Sequence, residues 1–386
     1  MIAAAALLSN SAPLLTHSAD SGNGDPLFYF GLNWEVWLIL IIKCLVAFVA
    51  LLVATALMIW FERKVISDMQ SRVGPNRAGP WGLLQTLADG TKLVFKEDLL
   101  PDRADSFVFK LAPYLSVIPA VLIFTVVPVG GVITIGSHTF ELQVADPPMG
   151  ILLVLAMSGI AVYGVMLAGW SSGSKYPLLG SVRASAQVIS YEAALGMTTV
   201  MVVLVTGSLS TRAIVASQSN GFWNWNLIRL GFLPFIFFMI AITAELTRPP
   251  FDLTEAEQEL VGGYHTEYSS MKFALFFLGE YAAMIAGSSL IVTLFLGGWH
   301  LPFIPDGAGV GGLDALQVFP AWIWGLVNIA VFFGKVAALL LFFIWVRWTL
   351  PRFRYDQLMR LGWIFFFEIA LVNVFITALI VAFFPK

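Results

Sequence analysis

Eight runs of mainly apolar residues recur along the chain, at roughly 36–60, 109–129, 149–170, 185–207, 231–246, 271–297, 319–346 and 360–384. A helix needs about 20 such residues to cross the hydrocarbon core of a bilayer. Lipid offers no partners for backbone N–H and C=O groups, so the α-helix, which satisfies them internally, is the expected element. The predicted fold class is an all-α membrane protein, a bundle of about eight transmembrane helices. The charged share is 12%, about half that of a soluble domain.

Lysine and arginine orient the bundle. The connectors 61–108, 171–184, 247–270 and 347–359, with their flanks, carry sixteen of them, against three (Arg212, Arg229 and Lys386) on the opposite side. Basic loops stay on the cytoplasmic side. Residues 1–35 therefore read as a periplasmic N-terminal tail and 36–386 as an eight-span membrane domain, with both termini outside and those four loops cytoplasmic. Met1–Asp25 has no Lys or Arg ahead of its apolar patch, which argues against a secretory signal peptide. The outer loops read as short closures. The first inner connector differs: apolar Trp81, Leu84, Leu87 and Phe95 recur near helical spacing, with Asp89, Lys92 and Lys96 toward the other side. That pattern predicts an amphipathic surface helix over 81–95.

The candidates for chemistry are ionisable groups inside the apolar runs. Counted at about 1.5 Å per residue from the basic ends of the expected spans, Glu192 lies roughly 10 Å in, Glu280 and Glu368 roughly 14 Å, and Lys335 roughly 16 Å. Glu245 stands at the mouth of its span. A charge at the centre of a lipid-facing helix costs about 2.5–3.5 kcal/mol even on the lenient insertion scale. These groups are therefore expected to face the bundle interior as one polar layer that binds and releases protons. Between Glu245 and Glu280 the chain packs Asp252, Glu255, Glu257, Glu259 and Glu267 into one basic-side loop. Glu62 and Arg63 are adjacent where the first run ends. One cysteine, Cys44, builds no disulfide or iron–sulfur site, and the four histidines have no ligand spacing, so no metal site is expected. Any redox cofactor belongs to a partner.

Three segments carry a resemblance. Glu62-Arg63-Lys64 with Gln70-Ser71-Arg72-Val73-Gly74-Pro75-Asn76-Arg77-Ala78-Gly79-Pro80, then Arg248-Pro249-Pro250-Phe251-Asp252-Leu253-Thr254-Glu255-Ala256-Glu257-Gln258-Glu259-Leu260, then Leu350-Pro351-Arg352-Phe353-Arg354-Tyr355-Asp356, together with Ser190-Tyr191-Glu192, resemble the H subunit (subunit 1) family of proton-pumping NADH–quinone oxidoreductase, respiratory complex I. The resemblance implies a membrane subunit of the bacterial plasma (inner) membrane at the junction with a hydrophilic redox arm. It implies quinone, ubiquinone or menaquinone, as substrate, with iron–sulfur clusters and FMN on partner subunits. Glu62, Arg63, Arg72, Asp89, Arg248, Glu255, Glu257, Glu259 and Arg352 would serve quinone binding and coupling. Glu192, Glu245, Glu280, Lys335 and Glu368 would form the proton path. Implied partners are the hydrophilic-arm quinone-site and iron–sulfur subunits and other membrane-arm subunits, including antiporter-like ones, with no nucleic acid. The chain departs from the family pattern at Gln85-Thr86, where Gln-Pro is common, and at Ile364 and Glu368, where Lys and Pro are frequent. A charge has moved along the last span.

Two other functions share parts of these features. A membrane subunit of an energy-converting hydrogenase has related motifs but needs no quinone chamber. An autonomous cation–proton transporter also wants buried carboxylates but does not explain long charged connectors on one side.

Overall fold

The computed structural model describes residues 33–135, 138–219, 221–253, 261–302 and 321–383. The tail up to residue 32 and the loop carboxylates Glu255, Glu257 and Glu259 lie outside them. The chain is a multi-pass membrane protein built from helices. Among the described residues, seven are long and apolar enough to cross a membrane: α1 (Trp34–Met69), α3 (Ser106–Thr125), α4 (Gly150–Ser171), α5 (Lys175–Thr206), α8 (Ser270–Phe295), α9 (Ala321–Thr349) and α10 (Tyr355–Phe383). The fifth expected run forms a shorter helix, α7 (Phe232–Glu245). The ends carrying the Lys- and Arg-rich connectors are called the basic end below.

Two spans are longer at that end than the apolar runs suggest. α1 continues nine residues past 60, so Glu62 and Arg63 sit inside a helix rather than at its end. Successive helical residues point about 100° apart. Glu62 consequently faces the bundle and is buried, while Arg63 faces outward. α5 starts at Lys175, ten residues before the apolar run, so most of the expected connector 171–184 is helical. Its early turns are held by packing, since Gly180 lies against Gly263 and Tyr264 of the loop before α8.

The expected surface helix is present in shortened form. Gly79, Trp81 and Gly82 all have positive φ, so Pro80–Gly82 makes only a 3₁₀ turn and the α-helix, α2, runs Gln85–Phe95. It is tied to α1 by Thr86 Oγ1 donating to the Ala56 carbonyl (3.0 Å) and to α8 by Ser270 Oγ donating to the Leu93 carbonyl (3.0 Å). Cys44, which reads as a small core residue, is on the exposed side of α1.

The closure after α3 holds more structure than its sequence suggests. β1 (Val132–Ile135) and β2 (His138–Glu141) form an antiparallel hairpin, with Val132 opposite Glu141. Below it Gln143 donates to the Val126 and Ala145 carbonyls and to Thr211 Oγ1. Ser210 caps the short helix α6 (Thr211–Ser217), accepting from the Ala213 amide while donating to Asp146 at 2.8–2.9 Å. Burial of Asp146 pushes its carboxyl above the usual carboxylate range, against the pull of Ser210.

The core lies where α3, α4 and α8 cross. Small residues let membrane helices approach closely. A methyl group on Gly164 of α4 would sit 2.8 Å from the Ser116 amide nitrogen of α3, and one on Gly279 of α8 would sit 3.3 Å from the Ser116 carbonyl oxygen. Those close crossings, with alanines and serines on either side, leave a cavity at the centre of the bundle.

Candidate functional site

The cavity is about 140 Å³ and is walled by α3, α4, α5, α7 and α8. That volume accommodates on the order of ten waters. Its wall is mostly apolar, from residues such as Ala161, Val162, Ile242 and Ala283, and two carboxylates, Glu245 and Glu280, reach it. Glu245 ends α7; Glu280 lies ten residues into α8. Glu192 of α5 stands beside them: a methyl on Gly159 of α4 would be 3.1 Å from its Oε1. Ser158 lines the cavity on α4 next to Gly159, and its hydroxyl donates to the Leu155 carbonyl. Two carboxylates from two helices thus line one space, and a third, from α5, stands beside α4 at Gly159.

From the cavity a chain of charges runs to α1. Arg248, buried in the loop after α7, holds its Nε 2.6 Å from Glu280 Oε1 and its Nη1 3.8 Å from Glu62 Oε1. Its guanidinium also lies over the Tyr281 ring, 4.5 Å from the centroid. Tyr281 donates to Glu62 at 2.7 Å, and Arg347 of α9 pairs with Glu62 from the other side. Among the described residues, two acids and two guanidinium groups meet here. Buried charges are tolerated when paired and hydrogen-bonded. A second void of about 10 Å³ lies between Glu62, Arg248 and Arg347, room for about one water.

Beyond Glu62 the other expected residues spread over the basic end. Arg63 pairs with Asp89 of α2 at 2.6 Å. Arg72 is exposed and donates to Gln70 at 2.7 Å. Arg352 reaches Asp252 at 3.2 Å. That pair belongs to a seam in which the Phe251 ring lies 5.5 Å from both Tyr191 and Phe353. Gln187, fully buried on α5, donates from its amide to the Ala244 (2.9 Å) and Phe251 (2.7 Å) carbonyls. The helix that bears Glu192 is thereby bonded to the loop that bears Arg248.

Two expected members are elsewhere. Lys335 does not share the carboxylates' depth. Its ammonium donates to the carbonyls of Leu296, Gly298 and His300 at 2.7–2.8 Å and lies 4.3 Å from the Trp225 ring centroid. This is the far end of α8, sixteen residues or about 24 Å along the helix from Glu280. The three residues by which α9 outruns the expected span add only about 4.5 Å; the rest comes from the side chain reaching on to the carbonyls after α8. A cation there satisfies carbonyls that the helix terminus leaves open. Glu368 is exposed on α10 and does not approach the cavity. Among the described residues, no group of His, Cys, Asp and Glu could hold a metal ion.

The residues that sequence reasoning passed over are Ser158, Gln187, Tyr281 and Arg347. Arg347 signalled itself only as one basic flank among many.

Residues 42–378 match the NADH dehydrogenase family. The chain belongs to that family. Its relatives include the second H subunit of NADH-quinone oxidoreductase from Koribacter versatilis, 48% identical over 89% of this chain and 97% of the relative. The H subunit of the same enzyme from Frankia casuarinae is 50% identical over 92% of this chain and 75% of the relative. The second H subunit of Geobacter metallireducens is 44% identical over 91% of this chain and 98% of the relative. Within an NADH dehydrogenase family chain, a cavity with carboxylates on its wall and an ionic link to the basic end is the feature that invites a functional reading.

Proposed function

We propose that this chain is the membrane-embedded H subunit of an NADH–quinone oxidoreductase, helping to form the quinone chamber and coupling quinone reduction to proton translocation. The observation that carries the reading is the Arg248 bridge. One guanidinium lies between Glu280 on the cavity and Glu62 on the helix that leads into the 72–96 connector. The chamber would be lined by the Arg63 end of α1, the 72–96 connector and the loop from Arg248 to Glu267. The basic end would face the cytoplasm, where sixteen of the Lys and Arg residues gather. Partner subunits would supply the electrons and the redox cofactors.

Reducing a quinone to a quinol takes two electrons and two protons. Arg63, Arg72, Arg248 and Arg352 are the cations that would hydrogen-bond a quinone carbonyl or steady an anionic reduced quinone. Negative charge near Arg248 competes with Glu280 for the guanidinium. Glu280 would then face the cavity without its counter-charge, and a proton passed through cavity water is the counter-charge within reach. Glu245, Ser158 and Glu192 continue that line. Titration would belong to the carboxylate set as a whole rather than to single residues.

The test is photoaffinity labelling with an azidoquinone in the purified complex. Adducts within residues 62–96 and 248–267 are expected. Adducts confined to the loops at 130–148 and 208–229 would overturn the chamber. Cysteine variants at Ser174 and Trp223 test sidedness; labelling of position 174 from the periplasm in intact cells would reverse it. The transporter reading also accounts for the cavity carboxylates, but the family match supports the oxidoreductase subunit over it and over the hydrogenase reading.

A further inference from the structure

Glu368 has no place in the site described, and its surroundings point elsewhere. The last helix, α10, packs mainly on α5 and turns its other side outward. Leu358, Gly362, Phe366, Ala370 and Thr377 mark the packed face. Glu368 is two residues from Phe366 and two from Ala370, so it projects about 200° round the helix from Ala370. It shares the outward stripe with Phe365, Val372, Phe375 and Leu379, all at least half exposed. It also stands in the middle of the helix, thirteen residues after Tyr355 and fifteen before Phe383. Among the described residues nothing hydrogen-bonds or pairs with it.

A carboxylate at that depth is costly against lipid tails, and ionisable groups in membrane helices almost always face protein or water. A second copy of this chain is a poor cover, since a two-fold contact here would bring Glu368 against Glu368, like charges in a low dielectric. A soluble domain cannot reach the middle of the bilayer. The relatives of this chain carry the name of one subunit of a larger complex. We propose that the Glu368 face of α10 docks a transmembrane helix of another subunit of the same complex, and that this helix presents a basic or hydrogen-bond-donating side chain to Glu368 at mid-membrane depth. The apolar residues on either side supply shape and area; Glu368 supplies register.

The test leaves Glu368 in place. A benzophenone-bearing residue replaces Phe365 or Val372, about one turn to either side, in the assembled complex. Irradiation is expected to give an adduct with another membrane subunit, at a peptide within an apolar span that carries a basic, amide or hydroxyl side chain. Independently, Glu368→Leu is expected to lower the yield of that subunit with the complex at least fivefold, and Glu368→Gln to retain it. Adducts with lipid alone from both probe positions, or full recovery of the complex from Glu368→Leu, overturn the proposal.

Discussion

Removing the Arg248 guanidinium should strand a buried carboxylate, and the size of the effect follows from the charge balance. Among the described residues, Glu62 and Glu280 face Arg248 and Arg347, two charges of each sign. Arg248→Met removes one positive charge while keeping most of the side-chain volume. Glu280, mostly buried, loses the cation 2.6 Å away. Breaking a buried pair by deleting one partner costs about 3–5 kcal/mol, whereas replacing both partners by neutral groups is often close to neutral. Glu280→Gln added to Arg248→Met restores the balance, leaving Glu62 with Arg347. About 3 kcal/mol is roughly a hundredfold in the folded-to-unfolded ratio. The assay is the temperature at which this chain is lost from the complex on native gels, which does not depend on activity. Arg248→Met should fall furthest and the double variant should recover most of the loss. A double variant at least as unstable as the two single losses added together would refute the charge-balance argument.

Three further outcomes follow from the structure. Lys335→Met leaves three carbonyls at the end of α8 without their donor; hydrogen exchange at 296–300 should rise by at least tenfold, and Lys335→Arg should keep most of the protection. Gln187→Leu removes one donor from each of the Ala244 and Phe251 carbonyls, which keep the Thr247 and Leu253 amides, at about 0.5–1.5 kcal/mol each, so protease cutting in 247–262 should increase, while an unchanged cleavage rate would show that Gln187 does not fasten the loop. Asp146 has a raised carboxyl pKa in the folded chain, so the folded state binds its proton more tightly than the unfolded state. Its contribution to stability is therefore full below the unfolded value of 3.8 and declines as pH rises through the raised value. Asp146→Asn should flatten that part of the heat-stability profile.

The sequence showed the helical bundle because apolar runs of membrane length have few other uses. The cost of a lipid-facing position is why Glu245 and Glu280 are expected in the interior, and both reach the cavity. What it could not show was the pairing. Arg347 and Glu62 are 285 residues apart, and only the approach of α9 to α1 joins them. Helix ends misled the depth estimates: α5 gains ten residues whose helicity comes from packing under the Tyr264 loop, not from an apolar pattern. Lys335 differs because its side chain reaches away from the carboxylates to the carbonyls after α8. Glu368 was expected at the right height but on the wrong side, and its two-residue offsets from Phe366 and Ala370 were the overlooked signal.

The central claim is that the carboxylates around the cavity carry protons for the coupled reaction. Glu192→Gln and Glu280→Gln keep side-chain volume and remove the proton site. Inverted membrane vesicles report NADH–quinone reductase activity together with acidification by a pH-gradient dye. With assembly of the complex verified, the account predicts that proton pumping is abolished in both variants, with quinone reduction falling alongside it where the steps are tightly coupled. Normal acidification per quinone reduced in both variants would contradict it and leave Glu192 and Glu280 as structural polar contacts.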